Sequence, residues 1–328
     1  MTKGSTGYGW QFANRKPGAS CFRIGAVGEL LWDVLPQGKQ LGGAPVNFAC
    51  TTARLGNEVQ LFSSIGNDPL GIEARHELKR AGIPEDKLQV SGRYPTGTAE
   101  VQLNTNGDAS FNLRAPVAWD DLLWTDEWMS VVASLDAIYF GSLCQRDERS
   151  SRTIQRMLSH TSADCVRVFD VNLRPSFYSS SVLRSSLNRT TLLKVNEDEL
   201  PIMMQLLNFP LRNSVEGNIA ALFDLFPLEL IAVTFGSSGS LIASREKSHR
   251  HGGISVTVVD TVGAGDAFIA ALTSYYLRGA PIEVLNEAGN VWGSWVASQA
   301  GAMPTCSADT FEHLTCRIAE SIELHSSM

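Results

Sequence analysis

Basic charge, paired cysteines and long apolar runs are all scarce in this 328-residue sequence, and each shortage closes a class of function. There are 27 lysines and arginines against 34 aspartates and glutamates, a net charge of −7. That balance argues against a nucleic-acid or anionic-membrane surface as the main partner, so an anionic ligand must be held by local groups. The richest apolar run, LFDLFPLELIAVTF, carries Asp224, Pro227 and Glu229, so no membrane span is expected. Residues 1–20 are polar and Gly-rich with no apolar stretch of a secretory signal, and they read as a disordered arm. The six cysteines (Cys21, Cys50, Cys144, Cys165, Cys306 and Cys316) show no CxxC spacing, so reduced thiols in a cytoplasmic protein are expected rather than disulfides or zinc. The six histidines lack metal-ligand spacing, and His249 and His251 read as solvated residues of a polar turn, SHRHGG. Neither GxxxxGK[ST] nor GxGxxG occurs, so a P-loop and a dinucleotide fingerprint are both absent.

What is present is an alternation. From about residue 21, strand-like and helix-like segments follow one another: FRIGAV, VNFACTTARLG, EVQLFSSIG, LGIEARHELKRAG, and later LDAIYFGS, SSRTIQRMLSH, VRVFDVNLRP, VLRSSLNR, TLLKVN, EDELPIMMQLL and ELIAVTFG. SLIAS and ISVTVV read as late, antiparallel strands, and DAFIAALTSYYLRG and IEVLNEAGNVWGSWVASQAG as closing helices. One stretch breaks the rhythm. TGTAEVQLNTNGDASFNL alternates polar and apolar residues around Asn106-Gly107 and predicts an inserted β-ribbon. The expected fold is α/β, a three-layer α/β/α arrangement of a mostly parallel sheet with a small β-ribbon lid. Its ligand should lie beyond the C-terminal ends of the strands.

The densest chemistry is DTVGAGDAF at 260–268. Gly263 and Gly265 permit backbone angles closed to other residues, and a helix beginning near Asp266 would turn free N–H groups outward to bind an anion. A carboxylate there repels a resting phosphate. It makes sense if it accepts a proton from a hydroxyl that attacks the phosphate. The helix dipole would help keep it ionised. The plainer alternative is a Gly-rich turn with an aspartate cap.

Here the chain resembles the ribokinase-like, or PfkB, carbohydrate kinases. DTVGAGDAF is similar to that family's C-terminal signature and GGAPVNFACTTARLG to its N-terminal one, in the right order and from about residue 21 to the last helix. GELLWDVLP, LGGAPVNFA, PTGTAEVQLN, APVAWD, FDVNLRP and KVNEDEL most resemble members called fructokinases. The resemblance implies one kinase domain over 21–320, with a lid from about 30–44 and 93–116. It implies Asp266 as general base and Gly263, Ala264 and Gly265 as the anion hole. Asp33, Gly43 and Asn47 would hold sugar hydroxyls, with Glu100 and Gln102 reaching down from the ribbon and Arg174 touching a phosphate or sugar carboxylate, unless it merely pairs with Asp170. Asn196 and Glu199 match an NxxE motif that orders magnesium and phosphate, commonly through water. Thr234, Gly236 and Gly239 would line the nucleotide, with Asn290 near the adenine or simply a structural polar residue. Backbone carbonyls of Asp260 and Val262 would hold a monovalent cation, potassium.

The implied cofactors are ATP and magnesium, with potassium as a further candidate. The implied partners are a sugar and a second copy of the chain joined through the lid, because a lone two-stranded ribbon is marginal in water. Fructose is the expected acceptor. 2-Keto-3-deoxygluconate, ribose or a nucleoside would use the same catalytic residues. A catalytically silent, dimeric sugar-binding protein on the same scaffold is the remaining alternative, and it should lack part of this machinery.

Overall fold

The computed structural model describes residues 21–35, 38–103, 109–174 and 177–326. The 1–20 arm and the Asn106-Gly107 turn lie outside the described residues. Thirteen strands are formed by these residues: β1 Arg23–Val27, β2 Leu31–Leu35, β3 Gly38–Gly42, β4 Glu58–Gly66, β5 Leu88–Ser91, β6 Gly97–Leu103, β7 Ala109–Leu113, β8 Ala137–Gly141, β9 Val166–Asp170, β10 Leu192–Asn196, β11 Leu230–Thr234, β12 Ser240–Ala243 and β13 Ser248–His251. The helices are α1 Ala44–Arg54, α2 Pro69–Arg80, α3 Asp126–Val132, α4 Glu148–His160, α5 Ser180–Leu187, α6 Glu199–Leu206, α7 Val215–Leu225, α8 Ala264–Leu277, α9 Ile282–Ala297 and α10 Ala308–Ser326.

Nine strands make one sheet in the order β13-β12-β11-β10-β9-β8-β1-β4-β5. It is parallel from β5 to β11, and β12 and β13 are added antiparallel. The central strands are apolar at successive positions because both faces are covered. Tyr139, Leu192 and Ala232 face one layer with Phe48 and Trp292 of α1 and α9, while Phe140, Leu193 and Val233 face the other with Ile154 and Met203 of α4 and α6. The two-residue period of a strand thus divides neighbours between two cores, and the three layers follow.

The ribbon does not stand alone. β6 and β7 join β2 and β3 in a separate four-stranded sheet, order β3-β2-β6-β7, with β2 and β6 parallel. Four strands remove the marginality that a lone hairpin would have. The root of β6 is tied to the main body by Asp68, which caps α2 at Gly71 N and accepts from Thr96 N at 2.7 Å and Thr96 Oγ1 at 2.7 Å.

Two sequence expectations fail here. ISVTVV, at 254–259, is not a strand: Val259 N and Asp260 N donate to Ala297 O at the end of α9 instead of to a neighbouring strand. The polar SHRH segment is the strand, β13. His249 and His251 are held rather than solvated: Asn286 Nδ2 lies 3.2 Å from His249 Nδ1, and His251 Nε2 meets Glu287 at 2.9 Å. No helix among the described residues is long and apolar enough to cross a membrane.

Candidate active site

Beyond the C-terminal ends of the parallel strands, under the small sheet, lies a cavity of about 230 Å³. Glu29, Asp33, Asn47, Arg174, Lys194 and Asp266 all line it, together with Gly43, Val262, Gly263 and Gly265. A larger cleft of about 350 Å³ between α7 and the turn after β12 holds none of the sequence-predicted site residues. Convergent polar groups, not size, mark the candidate site.

Asp266 stands in the first turn of α8, whose cap residue is Gly263 at φ +80°. Its Oδ2 accepts from Asn47 Nδ2 at 2.9 Å, so α1 and α8 meet across the cavity through this bond. Burial raises the Asp266 carboxyl above its ordinary range, and the Asn47 bond, Lys194 and Arg174 oppose that rise. The direction is opposite to what the helix start alone predicts, because a dipole effect of about 0.3–1 kcal/mol is smaller than the desolvation of a buried carboxylate.

The glycines serve chain packing as well as access. A Cβ on Gly263 would lie 2.8 Å from Ala302 Cα, and one on Gly43, at φ +106°, would lie 2.4 Å from Glu29 O. Gly263→Ala is expected to cost roughly 2–5 kcal/mol, the sum of a left-handed backbone and an overpacked contact. Gly236 has φ +55° and open space around it. Gly236→Ala should therefore cost only about 1–2 kcal/mol. Thermal melts of the two variants decide this, and equal losses would remove Ala302 as the reason for the glycine.

Asp260 ties two loops together. Its Oδ1 accepts from Val262 N at 3.0 Å and its Oδ2 from Gly301 N at 3.2 Å. Asn196 and Glu199 form a reciprocal pair: Glu199 N donates to Asn196 Oδ1 at 2.7 Å, and Asn196 N to Glu199 Oε2 at 3.0 Å. The other Glu199 oxygen accepts from Leu173 N at 2.8 Å, which anchors the segment leading to Arg174. No cluster of three or more His, Cys, Asp or Glu forms a metal site among the described residues.

Arg174 does not pair with Asp170. Asp170 is taken by Lys194, whose Nζ lies 3.0 and 3.2 Å from its two oxygens, both side chains buried. That leaves Arg174 facing the cavity, within electrostatic range of Glu29, Asp33 and Asp266. Burial raises Asp33 to about 6, with Arg174 opposing.

Other predicted residues are placed differently. Ala99, not Glu100, lines the cavity from β6, and Glu100 is exposed on the opposite face. Gln102 pairs with Ser110 in the ribbon register, and its side chain lies outside the described residues. Thr234 ends β11, and Gly236 and Gly239 shape the turn after it. A Cβ on Gly239 would meet His251 O at 2.1 Å, so this glycine is needed for a close backbone approach. The Asn290 amide donates to Ser240 Oγ at 2.7 Å and to Asn286 O at 2.8 Å, the bonds of a structural polar residue beneath that turn.

Sequence reasoning missed Glu29 and Lys194. Both carried a signal, a single charged residue within or directly after a buried strand, in GAVGE and in LLKVN.

A mostly parallel sheet between two helical layers, with a small four-stranded sheet over an aspartate-bearing helix start, defines the ribokinase-like class of sugar phosphotransferases. Residues 28–309 match the pfkB family carbohydrate kinases, and the chain belongs to that family. It is 30% identical over 275 residues to a fructokinase of Salmonella typhimurium, covering 80% of this chain and 87% of the relative. A fructokinase of Escherichia coli is 28% identical over 269 residues, 76% of this chain and 83% of the relative. Among solved structures, an uncharacterized sugar kinase from Pyrococcus horikoshii superposes with a TM-score of 0.78 at 26% identity, covering 91% of this chain and 99% of the other. The same kinase has been solved in complex with ATP, with a TM-score of 0.76.

Proposed function

We propose that the chain is an ATP-dependent fructokinase. The observation that carries the reading is the placement of Asp266 in the first turn of α8, on the same cavity as Asp33, Asn47 and Arg174. Fructokinase relatives at about 30% identity favour fructose as the acceptor.

In this reading the sugar lies under the small sheet with hydroxyls on Asp33 and Asn47. Its reacting hydroxyl gives its proton to the Asp266 carboxylate as the oxygen attacks the γ-phosphorus of ATP, and ADP leaves on the opposite side. Backbone N–H groups of Gly263 and Gly265 at the start of α8 stabilise the transferring phosphoryl oxygens, whereas the Ala264 amide, expected to join them, donates to Thr261 O at 3.2 Å. Lys194 adds a fixed cation, since its Nζ lies 3.1 Å from where a Cβ on Gly265 would be. Thr234, Gly236 and Gly239 form the turn that receives the nucleotide. Arg174 receives phosphate or the sugar end.

Magnesium, when bound, supplies charge neutralisation on the phosphates, and Glu199 is the residue that would hold its waters. Each Glu199 oxygen accepts one backbone N–H, and a carboxylate oxygen has a second acceptor site to offer. Potassium would rest on main-chain carbonyls of Asp260 and Val262, because the Asp260 side chain is already bonded to two amides. The small sheet acts as the lid, and with four paired strands it needs no second copy for its own stability. The site of action is the cytoplasm.

A coupled ADP-release assay over fructose, ribose, 2-keto-3-deoxygluconate and nucleosides, with and without potassium, tests the reading. Fructose is expected to lead in kcat/KM by at least about tenfold, a pocket-level discrimination of 1–3 kcal/mol. A higher value for any other acceptor replaces fructose. No turnover on any of them removes the kinase reading.

A further inference from the structure

Glu29 follows the C-terminal end of β1, a central strand, where the cavity opens, and is 3% exposed. Its Oε2 has no hydrogen-bond partner, the one buried carboxyl oxygen in that condition among the described residues. The neighbouring acids are all engaged or wet. Asp266 is bonded to Asn47, Asp170 to Lys194, Glu199 and Asp260 to backbone amides, and Asp33 is only half-buried. The Glu29 and Ala44 amides serve the carboxyl, but its Oε2 is left over. An orphaned buried carboxyl oxygen is costly, so a partner that arrives with a ligand is the physical reason to keep one.

Its backbone is pinned. Gly28 N donates to Phe62 O at 3.1 Å, Gly28 O accepts from Ser63 Oγ at 2.6 Å, and Gly43 runs so close to Glu29 O that a side chain there would collide with it. The main chain that carries the carboxyl is therefore fixed at the cavity.

We propose that Glu29 is an acceptor-recognition residue, whose free carboxyl oxygen bonds a sugar hydroxyl other than the one phosphorylated. The proposal rests on the sugar-kinase reading of the site. The groups around Glu29 allow it to play either part. Burial raises it to about 7, with its own amide, Arg174 and the Ala44 amide opposing and Asp266 adding to the rise. Tyr139 and Cys144 are the other titratable groups that feel its charge. Near neutral pH the ionised form accepts from a hydroxyl and the protonated form donates to one. A carboxyl in this place selects polyhydroxylated acceptors over those with a single reactive alcohol.

The test is a cycle of enzyme variants against single-deoxy analogues, built on whichever acceptor the ADP-release screen returns. In the wild type, removing one non-reacting hydroxyl should lower kcat/KM by at least about 30-fold. In Glu29→Leu the parent acceptor should suffer a loss of that order, while removal of the same hydroxyl changes kcat/KM by less than about threefold. The penalties at other positions should stay as in the wild type. Glu29→Gln, which keeps size and one hydrogen bond, should retain part of the discrimination, and it carries the test if the leucine variant does not fold. If every deoxy position keeps its wild-type penalty in both variants, Glu29 does not touch the acceptor and the proposal falls. An enzyme that phosphorylates no acceptor overturns the sugar-kinase reading as well, whereas a sugar other than fructose leaves this test intact.

Discussion

Asp266→Asn is expected to lower kcat by roughly a thousandfold or more while acceptor affinity changes by less than about threefold. The amide keeps the size and most contacts of the carboxylate but cannot take the proton from the acceptor hydroxyl. Steady-state kinetics with direct binding of the acceptor separates the two quantities. Activity within tenfold of wild type would remove Asp266 as the base.

The pH profile gives an independent reading. A base must be ionised to act, and burial raises Asp266. The acid limb of kcat/KM should therefore lie above the ordinary aspartate range, with activity lost as pH falls through it. Asn47 bonds the ionised oxygen and opposes the rise. Asn47→Ala should move that limb to higher pH, in addition to any effect on KM. An unchanged limb with only a raised KM would mean that Asn47 serves the sugar and not the base.

Lys194→Met is expected to destabilise the fold by about 3–5 kcal/mol, because it leaves the Asp170 carboxylate buried without its partner. Burial works against the Lys194 ammonium, but Asp170, Glu199 and Asp266 outweigh it and hold the group above its ordinary value. In a thermal melt the loss should appear as a fall in Tm of roughly 6–15 °C. The double variant Lys194→Met with Asp170→Asn removes both charges and should recover most of that Tm.

Activity should not recover with it. The ammonium sits against Gly265 in the first turn of α8. Losing a fixed cation beside a transferring phosphoryl group costs on the order of 100-fold in kcat. A double variant that regains both Tm and kcat would show Lys194 to be purely structural.

The difference between what was legible in the sequence and what was not follows the range of the forces involved. EVQLFSSIG announced β4 residue for residue, since an apolar segment ended by glycine carries its own signal. The start of α8 was legible for the same reason, from a glycine turn ahead of an apolar helix. ISVTVV has the composition of a strand and is not one; the amide at its end, Val259 N, finds its acceptor where α9 ends. SHRH has the composition of a turn and is a strand, because β12 offers it an edge.

The candidate site divides in the same way. Asp33, Asn47 and Asp266 were identifiable from local motifs, and the cavity gathers all three. Ala99 rather than Glu100 faces that cavity, a matter of ribbon register that one residue of shift would reverse. By itself the sequence determined the class of reaction through its resemblance to the PfkB signatures, which is legible because the glycine turn, the aspartate behind it and the alternation of strands and helices are local patterns. Only the tertiary structure decided that Asn47 bonds Asp266, that Lys194 takes Asp170 and frees Arg174, and that one Glu29 oxygen is left without a partner. Those outcomes depend on which side chains, up to 219 positions apart, arrive at hydrogen-bond distance, and no local pattern encodes a distance of that kind.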